Sequence, residues 1–222
     1  MFRTTLAVAC AVAALTGSAA AFATKVAPPG ADTPLEEARR WITEDPDAPM
    51  VAPEGYDVTI VEYMDYQCPA CRASQEPLAQ LLAADKKIRV IFRDWPIFGP
   101  MSEKAARLAL AAKYQGKYLA FHNELYKLPA PLDDVKIRAA GRRAGVDWDR
   151  LQTDAKLHEQ DIEDLLARNN EQAETIGLEG TPGFVVGHTQ TFGAMTLEHL
   201  AANVADVRNE ARSALDKTAA EK

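Results

Sequence analysis

The alternation of apolar and polar positions divides the chain into distinct blocks. Val58-Thr59-Ile60-Val61-Glu62-Tyr63-Met64 is β-branched and largely apolar, which predicts a strand buried on both faces. Beyond it, Leu78, Leu81 and Leu82 fall at helical spacing, and Pro77 is expected to kink that helix. Ile88-Arg89-Val90-Ile91-Phe92-Arg93 predicts a second strand, parallel to the first and reached by a right-handed crossover. From about Ser102 to Thr175 the spacing is helical throughout. Ala105, Leu108, Ala109 and Ala112 line one face, and Leu119 to Leu128, Val135 to Ala144 and Trp148 to Leu157 predict further helices. A longer one from about Asp161 to Thr175 carries Ile162, Leu165 and Leu166 on one side. Thr181-Pro182-Gly183 then breaks the pattern. Phe184 to Val186 and Thr189 to Phe192 predict a hairpin around Gly187-His188, and a helix from about Thr196 to Leu215 follows. The order is β-α-β, a helical block, then β-β-α, an α/β arrangement.

Ahead of this pattern, which starts at Tyr56, residues 24–55 are rich in proline, alanine and acidic groups. Thr33 followed by Pro34 caps one short helix from Leu35 to Ile42, and the stretch is expected to be an N-terminal extension, not a domain. Residues 1–23 resemble a signal peptide: Arg3 is the positive end, Leu6 to Leu15 the apolar stretch, and Ala21-Phe22-Ala23 a small-residue cleavage site. Export to an oxidising compartment is the expectation, with no apolar run long enough to span a membrane after cleavage.

Composition changes this picture little. Of 222 residues, 26% are charged, and the formal net charge of -7 argues against nucleic acid, which needs a clustered basic surface. The cysteines change it more. Cys10 lies in the segment to be removed, so the mature chain keeps Cys68 and Cys71 alone. A bridge between residues three positions apart closes almost no loop, so stability is a poor reason for it.

Cys68-Pro69-Ala70-Cys71, opening a helix straight after a strand, has a redox rationale. Cys68 at a helix N-terminus is stabilised as a thiolate by free N–H groups and the macrodipole. Cys71, one turn on, can reach back to resolve a mixed disulfide. Pro69 in the first turn leaves no N–H unpaired. The bland readings are a structural disulfide or half of a zinc site; His122, His158, His188 and His199 form no closely spaced pair to complete the latter, and no metal site is expected.

Three segments resemble the DsbA family of exported thioredoxin-fold proteins: Tyr63-Met64-Asp65-Tyr66-Gln67-Cys68-Pro69-Ala70-Cys71-Arg72, Phe92-Arg93-Asp94-Trp95-Pro96-Ile97-Phe98-Gly99-Pro100 and Gly180-Thr181-Pro182-Gly183-Phe184-Val185-Val186. The resemblance runs from about Asp57 to the last helix. It implies a thioredoxin fold over residues 56–222 with a helical insertion at about 100–175. It also implies a cis peptide bond before Pro182 beside the cysteines, leaving the Thr181 backbone free to pair with a substrate peptide. Glu62 is implied as a buried acid assisting proton transfer at Cys71; the alternative is a strand-edge residue with its head in water. Asp65 and Tyr66 are expected to shape the rim, Arg72 to be solvated, and His122 to be a packed helix residue.

The Pro-Ala dipeptide lacks the histidine of the best-known oxidases, and Thr181 is shared with isomerases and with several oxidases of the superfamily; both leave the strength of the oxidant open. The leading expectation is an oxidase that introduces disulfides into exported proteins in the periplasm. It would act as a monomer without a cofactor beyond the Cys68–Cys71 disulfide and be reoxidised by a quinone-linked membrane protein. The alternatives are an isomerase or reductase kept reduced by a membrane electron donor, and a thiol metal-binding or chaperone protein.

Overall fold

The computed structural model describes residues 34–220. The expected signal peptide, Cys10 and the Thr33 cap lie outside them.

Helix α1 (Pro34–Thr43) leads to a two-residue strand, β1 (Met50–Val51). The β-branched runs then form β2 (Val58–Met64) and β3 (Ile88–Asp94), joined by α2 (Pro69–Ala84). The insertion comprises α3 (Pro100–Ala111), a 3-10 turn at Ala112–Gln115, α4 (Tyr118–Tyr126), α5 (Asp134–Arg143) and α6 (Trp148–Leu157), followed by α7 (Glu159–Thr175). The hairpin β4 (Gly183–Val186) and β5 (Thr189–Phe192) precedes α8 (Leu197–Ala220). The strands lie in the order β1-β3-β2-β4-β5, with β2 and β3 parallel and every other pair antiparallel. This is a thioredoxin-like α/β fold with a helical insertion. Helix α2 runs through Pro77 as one element.

The two-residue period of a strand sends alternate side chains to opposite faces. Val58, Ile60 and Met64, with Ile88, Val90 and Phe92, form a core shared with α2, α8 and the insertion. Val61, Tyr63 and Ile91 form a second core with Ala48, Trp95 and Ala173. Because β2 is paired on both sides, Glu62 faces Phe92 in β3 and Phe184 in β4 at the centre of the sheet.

Residues 34–51 are built into this fold, so the sheet begins before Tyr56. Arg93, fully buried, donates to Asp45 Oδ2 at 2.7 Å, to the Ile42 carbonyl at 2.7 Å and to Asn169 Oδ1 at 3.2 Å. Arg168 also reaches Asp45, at 2.8 Å. Burial opposes ionisation of Asp45, but the bonds from Arg168 and Arg93 outweigh it and hold the carboxyl below its ordinary value. A charged guanidinium under the sheet requires this counter-charge. The composition of the segment gave no hint of it.

Candidate active site

Cys68 is the residue that caps α2, with φ -69° and ψ 120°, and Pro69 occupies the first turn. Both cysteines are free thiols here and both are buried. The Cys71 backbone N–H donates to Cys68 Sγ at 3.2 Å. The Cys71 side chain lowers the Cys68 thiol most; the Thr181 side chain and the backbone N–H groups of Cys71 and Ala70 add to this against the cost of burial, and the thiol falls to about 6. Burial, together with its hydrogen bond to Cys68, drives Cys71 the other way, well above an ordinary cysteine. The pair is therefore split into one sulfur that ionises near neutrality and one that holds its proton.

The Thr181–Pro182 peptide is cis. It carries the Thr181 carbonyl to 3.2 Å from Cys68 Sγ, which donates to it. The Thr181 hydroxyl is buried and has no hydrogen-bond partner among the described residues. A second cis peptide, Ala130–Pro131, was not expected from the sequence; it lies next to Leu132, whose N–H donates to Gln67 Oε1 at 3.0 Å.

Glu62 is wholly buried, which removes the reading of a solvated strand-edge carboxylate. Desolvation, with smaller contributions from Asp94 and Cys68, raises it to about 8 despite a hydrogen bond from Gln75. Asp65 is buried and accepts from the N–H groups of Gln67, Ile97 and Phe98 and from the Ser102 hydroxyl, at 2.7 to 3.0 Å. It thereby ties the loop before α3 to the turn before Cys68. That loop exposes Ile97 and Phe98 beside Gln67, whose amide donates to the Phe98 carbonyl at 3.3 Å.

Arg72 departs from its expected solvated position. It is half-buried and donates to the backbone carbonyls of Tyr66, at 3.1 Å, and Tyr126. One carbonyl comes from the turn before Cys68 and the other from α4, and the guanidinium reaches both. His122 is packed, as expected, among the rings of Tyr66, Phe92, Tyr118 and Tyr126. It also makes polar contacts that sequence reasoning missed, to the Tyr66 hydroxyl and to Gln75 Oε1, each at 3.2 Å. Asp94 was missed as well: it is buried, accepts from the Tyr118 hydroxyl at 2.8 Å, and is raised to about 7 by desolvation. One signal for Gln75 was present, since it lies four residues after Cys71 and so on the same helical face. For Asp94 the signal was its place in the Phe92–Pro100 segment, and His122 gave none; they meet the site through the packing of β3 and α4.

A thioredoxin-like fold with a Cys-x-x-Cys capping a helix, and a cis Thr-Pro peptide whose threonine carbonyl lies against the first sulfur, defines the class of thioredoxin-like thiol–disulfide oxidoreductases. Residues 59–205 match the DSBA-like thioredoxin domain, and the chain belongs to that family. Among solved structures it is similar to a thioredoxin-like oxidoreductase from Silicibacter pomeroyi DSS-3, at 36% identity and a TM-score of 0.73, covering 77% of this chain and 98% of that one. It is similar also to the thiol-disulfide exchange protein alpha-DsbA2 from Wolbachia pipientis, at 29% identity and a TM-score of 0.73, covering 78% of this chain and 93% of that one. The Na(+)/H(+) antiporter NhaA 3 of Salinispora tropica is 29% identical over 171 residues, 76% of this chain and 26% of that protein. The chain thus spans about a quarter of the length of that curated relative.

Proposed function

We propose that this protein is a disulfide-introducing oxidase acting on exported, thiol-bearing polypeptides. The observation that carries the reading is the division of labour in the cysteine pair: Cys68 is lowered to about 6 while Cys71 is raised. In the oxidised protein a substrate thiolate attacks Cys68 Sγ, the Cys68–Cys71 bond breaks, and Cys71 leaves with the electron pair and takes up a proton. The substrate's second thiolate then attacks the substrate sulfur of the mixed disulfide and expels Cys68 as a stabilised thiolate. A reduced form stabilised in this way makes the disulfide oxidising.

Glu62, buried and raised to about 8, acts as the proton donor to departing Cys71 and as acceptor in the reverse direction. The Thr181 backbone beside the sulfur pairs with the substrate chain, and exposed Ile97 and Phe98 suit an unfolded segment. The disulfide carries both electrons, so no cofactor is required. A quinone-linked membrane protein reoxidises the pair, and in a Gram-negative cell the compartment is the periplasm. The protein works as a monomer.

One observation favours a second reading, an isomerase or reductase kept reduced by a membrane donor. A Cys68 value of about 6 lies nearer to thioredoxin, about 7, than to DsbA, about 3.5. Equilibration with a glutathione series separates the two. The oxidase reading expects a potential well above about -270 mV and approaching about -120 mV, together with a monomer and oxidation of a reduced protein substrate. A potential near about -270 mV overturns it in favour of the reductase.

A further inference from the structure

Beneath Cys71 the buried polar groups form a chain with a single direction. Gln75 Nε2 donates to Glu62 Oε1 at 3.0 Å and to the Cys71 carbonyl at 3.4 Å. This orientation turns Gln75 Oε1 toward His122 Nε2, 3.2 Å away. An amide oxygen only accepts, so His122 Nε2 carries the hydrogen, and Nδ1 is left to accept from the Tyr66 hydroxyl at 3.2 Å. Every hydrogen in the series Tyr66, His122, Gln75 thus points toward Glu62 Oε1. Glu62 Oε2 is buried and has no hydrogen-bond partner among the described residues.

We propose that Gln75 and His122 are positioning residues for disulfide exchange, holding Glu62 with Oε1 as a fixed acceptor so that Oε2 carries the proton exchanged with Cys71. This rests on the acid–base role of Glu62 given above. When the substrate thiolate attacks Cys68 Sγ, the S–S bond breaks, Cys71 Sγ leaves with the pair, and the proton passes from Glu62 Oε2 to that sulfur. In the reverse step Cys71 Sγ–H returns its proton to Oε2 as its electron pair forms the bond to Cys68. An acid free to rotate or to bond elsewhere would spend part of its time with the proton misdirected.

The surroundings suit this role. The titratable groups facing Glu62 are Asp94 from β3, Cys68 at the cap of α2, Cys71 from α2, Tyr126 from α4 and Tyr66 from the turn before Cys68, with His122 and Tyr118 of α4 behind them. Burial lowers His122 to about 3, so it stays neutral and holds its tautomer through the neutral range. Tyr66, Tyr118 and Tyr126 are all raised by burial and stay protonated.

The test is the rate at which glutathione opens the Cys68–Cys71 disulfide of the full chain, acid-quenched over about pH 5 to 9. Glu62→Gln is expected to slow mixed-disulfide formation about 100-fold and to remove the pH limb of the acid. Gln75→Leu and His122→Phe are expected to slow it about tenfold and to displace that limb, with the Cys68 thiolate titration unchanged. In the Glu62→Gln background both are expected to have no further effect. Where His122→Phe fails to fold in its aromatic surroundings, Gln75→Leu at a half-buried position on α2 carries the test. Effects that persist undiminished in the Glu62→Gln background, or a Gln75→Leu profile identical to that of the parent, overturn the positioning role and leave Glu62 in place. A Glu62→Gln variant as fast as the parent overturns the role of Glu62 itself, and the positioning role with it.

Discussion

Cys68 Sγ stands 3.2 Å from the carbonyl oxygen of Thr181, across 113 positions of sequence. The side chain of the same residue also favours the Cys68 thiolate. Thr181→Val keeps the backbone and removes the hydroxyl, so the Cys68 titration, followed by thiolate absorbance, is expected to move upward from about 6. Cys71→Ala is expected to move it further, because the Cys71 side chain lowers Cys68 most. Cys68→Ala abolishes exchange altogether. A midpoint unmoved in Thr181→Val shows that the hydroxyl contributes nothing and that the Cys71 side chain and the backbone donors set the value.

The stability of the reduced protein follows from the sign of that shift. A thiol lowered in the folded state contributes stability above the ordinary cysteine value of about 8.5, and this contribution is lost as pH falls through about 6. Chemical denaturation of the reduced protein, compared with Cys68→Ala, is expected to show the parent's advantage shrinking over that window.

Glu62 acts in the opposite sense. Its raised value means that the folded state binds the proton more tightly than the unfolded chain, so stability falls as pH rises from about 4.3 toward about 8. Glu62→Gln is therefore expected to be more stable than the parent at pH 8 while slower in exchange. Denaturation midpoints measured at low and high pH check this; a variant less stable at both shows that the carboxylate is better satisfied than its burial indicates.

Among the described residues, removing Asp45 leaves Arg93 charged under the sheet with Asn169 and the Ile42 carbonyl as its partners. Asp45→Ala is expected to cost about 3–5 kcal/mol, the usual penalty for stranding a buried charge. Arg168→Ala, at a half-exposed partner, is expected to cost far less. Urea denaturation of both variants separates a true anchor for residues 34–51 from an ornamental ion pair.

At Gly187 the backbone has φ +61°, and an added Cβ would fall 2.4 Å from Val207 Cγ2 on α8. Gly187→Ala is expected to destabilise the hairpin and its contact with α8 by about 1–3 kcal/mol. A thermal melt that is unchanged would mean that the hairpin turn and α8 shift apart freely.

Much of the molecule was legible in its local pattern. The period-two runs of β2 and β3, the helical spacing of α3 to α7 and the Gly187-His188 turn all report interactions within a few residues, and the structure has them within a few positions of expectation. The Cys68–Cys71 site was legible for the same reason: strand, cap residue and first-turn proline are adjacent in the chain. Residues 34–51 were not, because their place depends on Arg93 and Arg168, which are distant in sequence. Arg72 was misplaced because its partners are backbone carbonyls, and any residue type supplies those.

The sequence by itself determined the kinds of element, their order and the dithiol, since these follow from spacing, propensity and a cap within one turn. Only the tertiary structure decided the chemistry of that dithiol. The low Cys68 value draws on Thr181 across the sheet, the raised Glu62 value on complete burial between β3 and β4, and the orientation of the acid on Gln75 and His122 from two helices. Desolvation and hydrogen-bond direction depend on what surrounds a group in space, and the order of residues along the chain does not contain that until it folds.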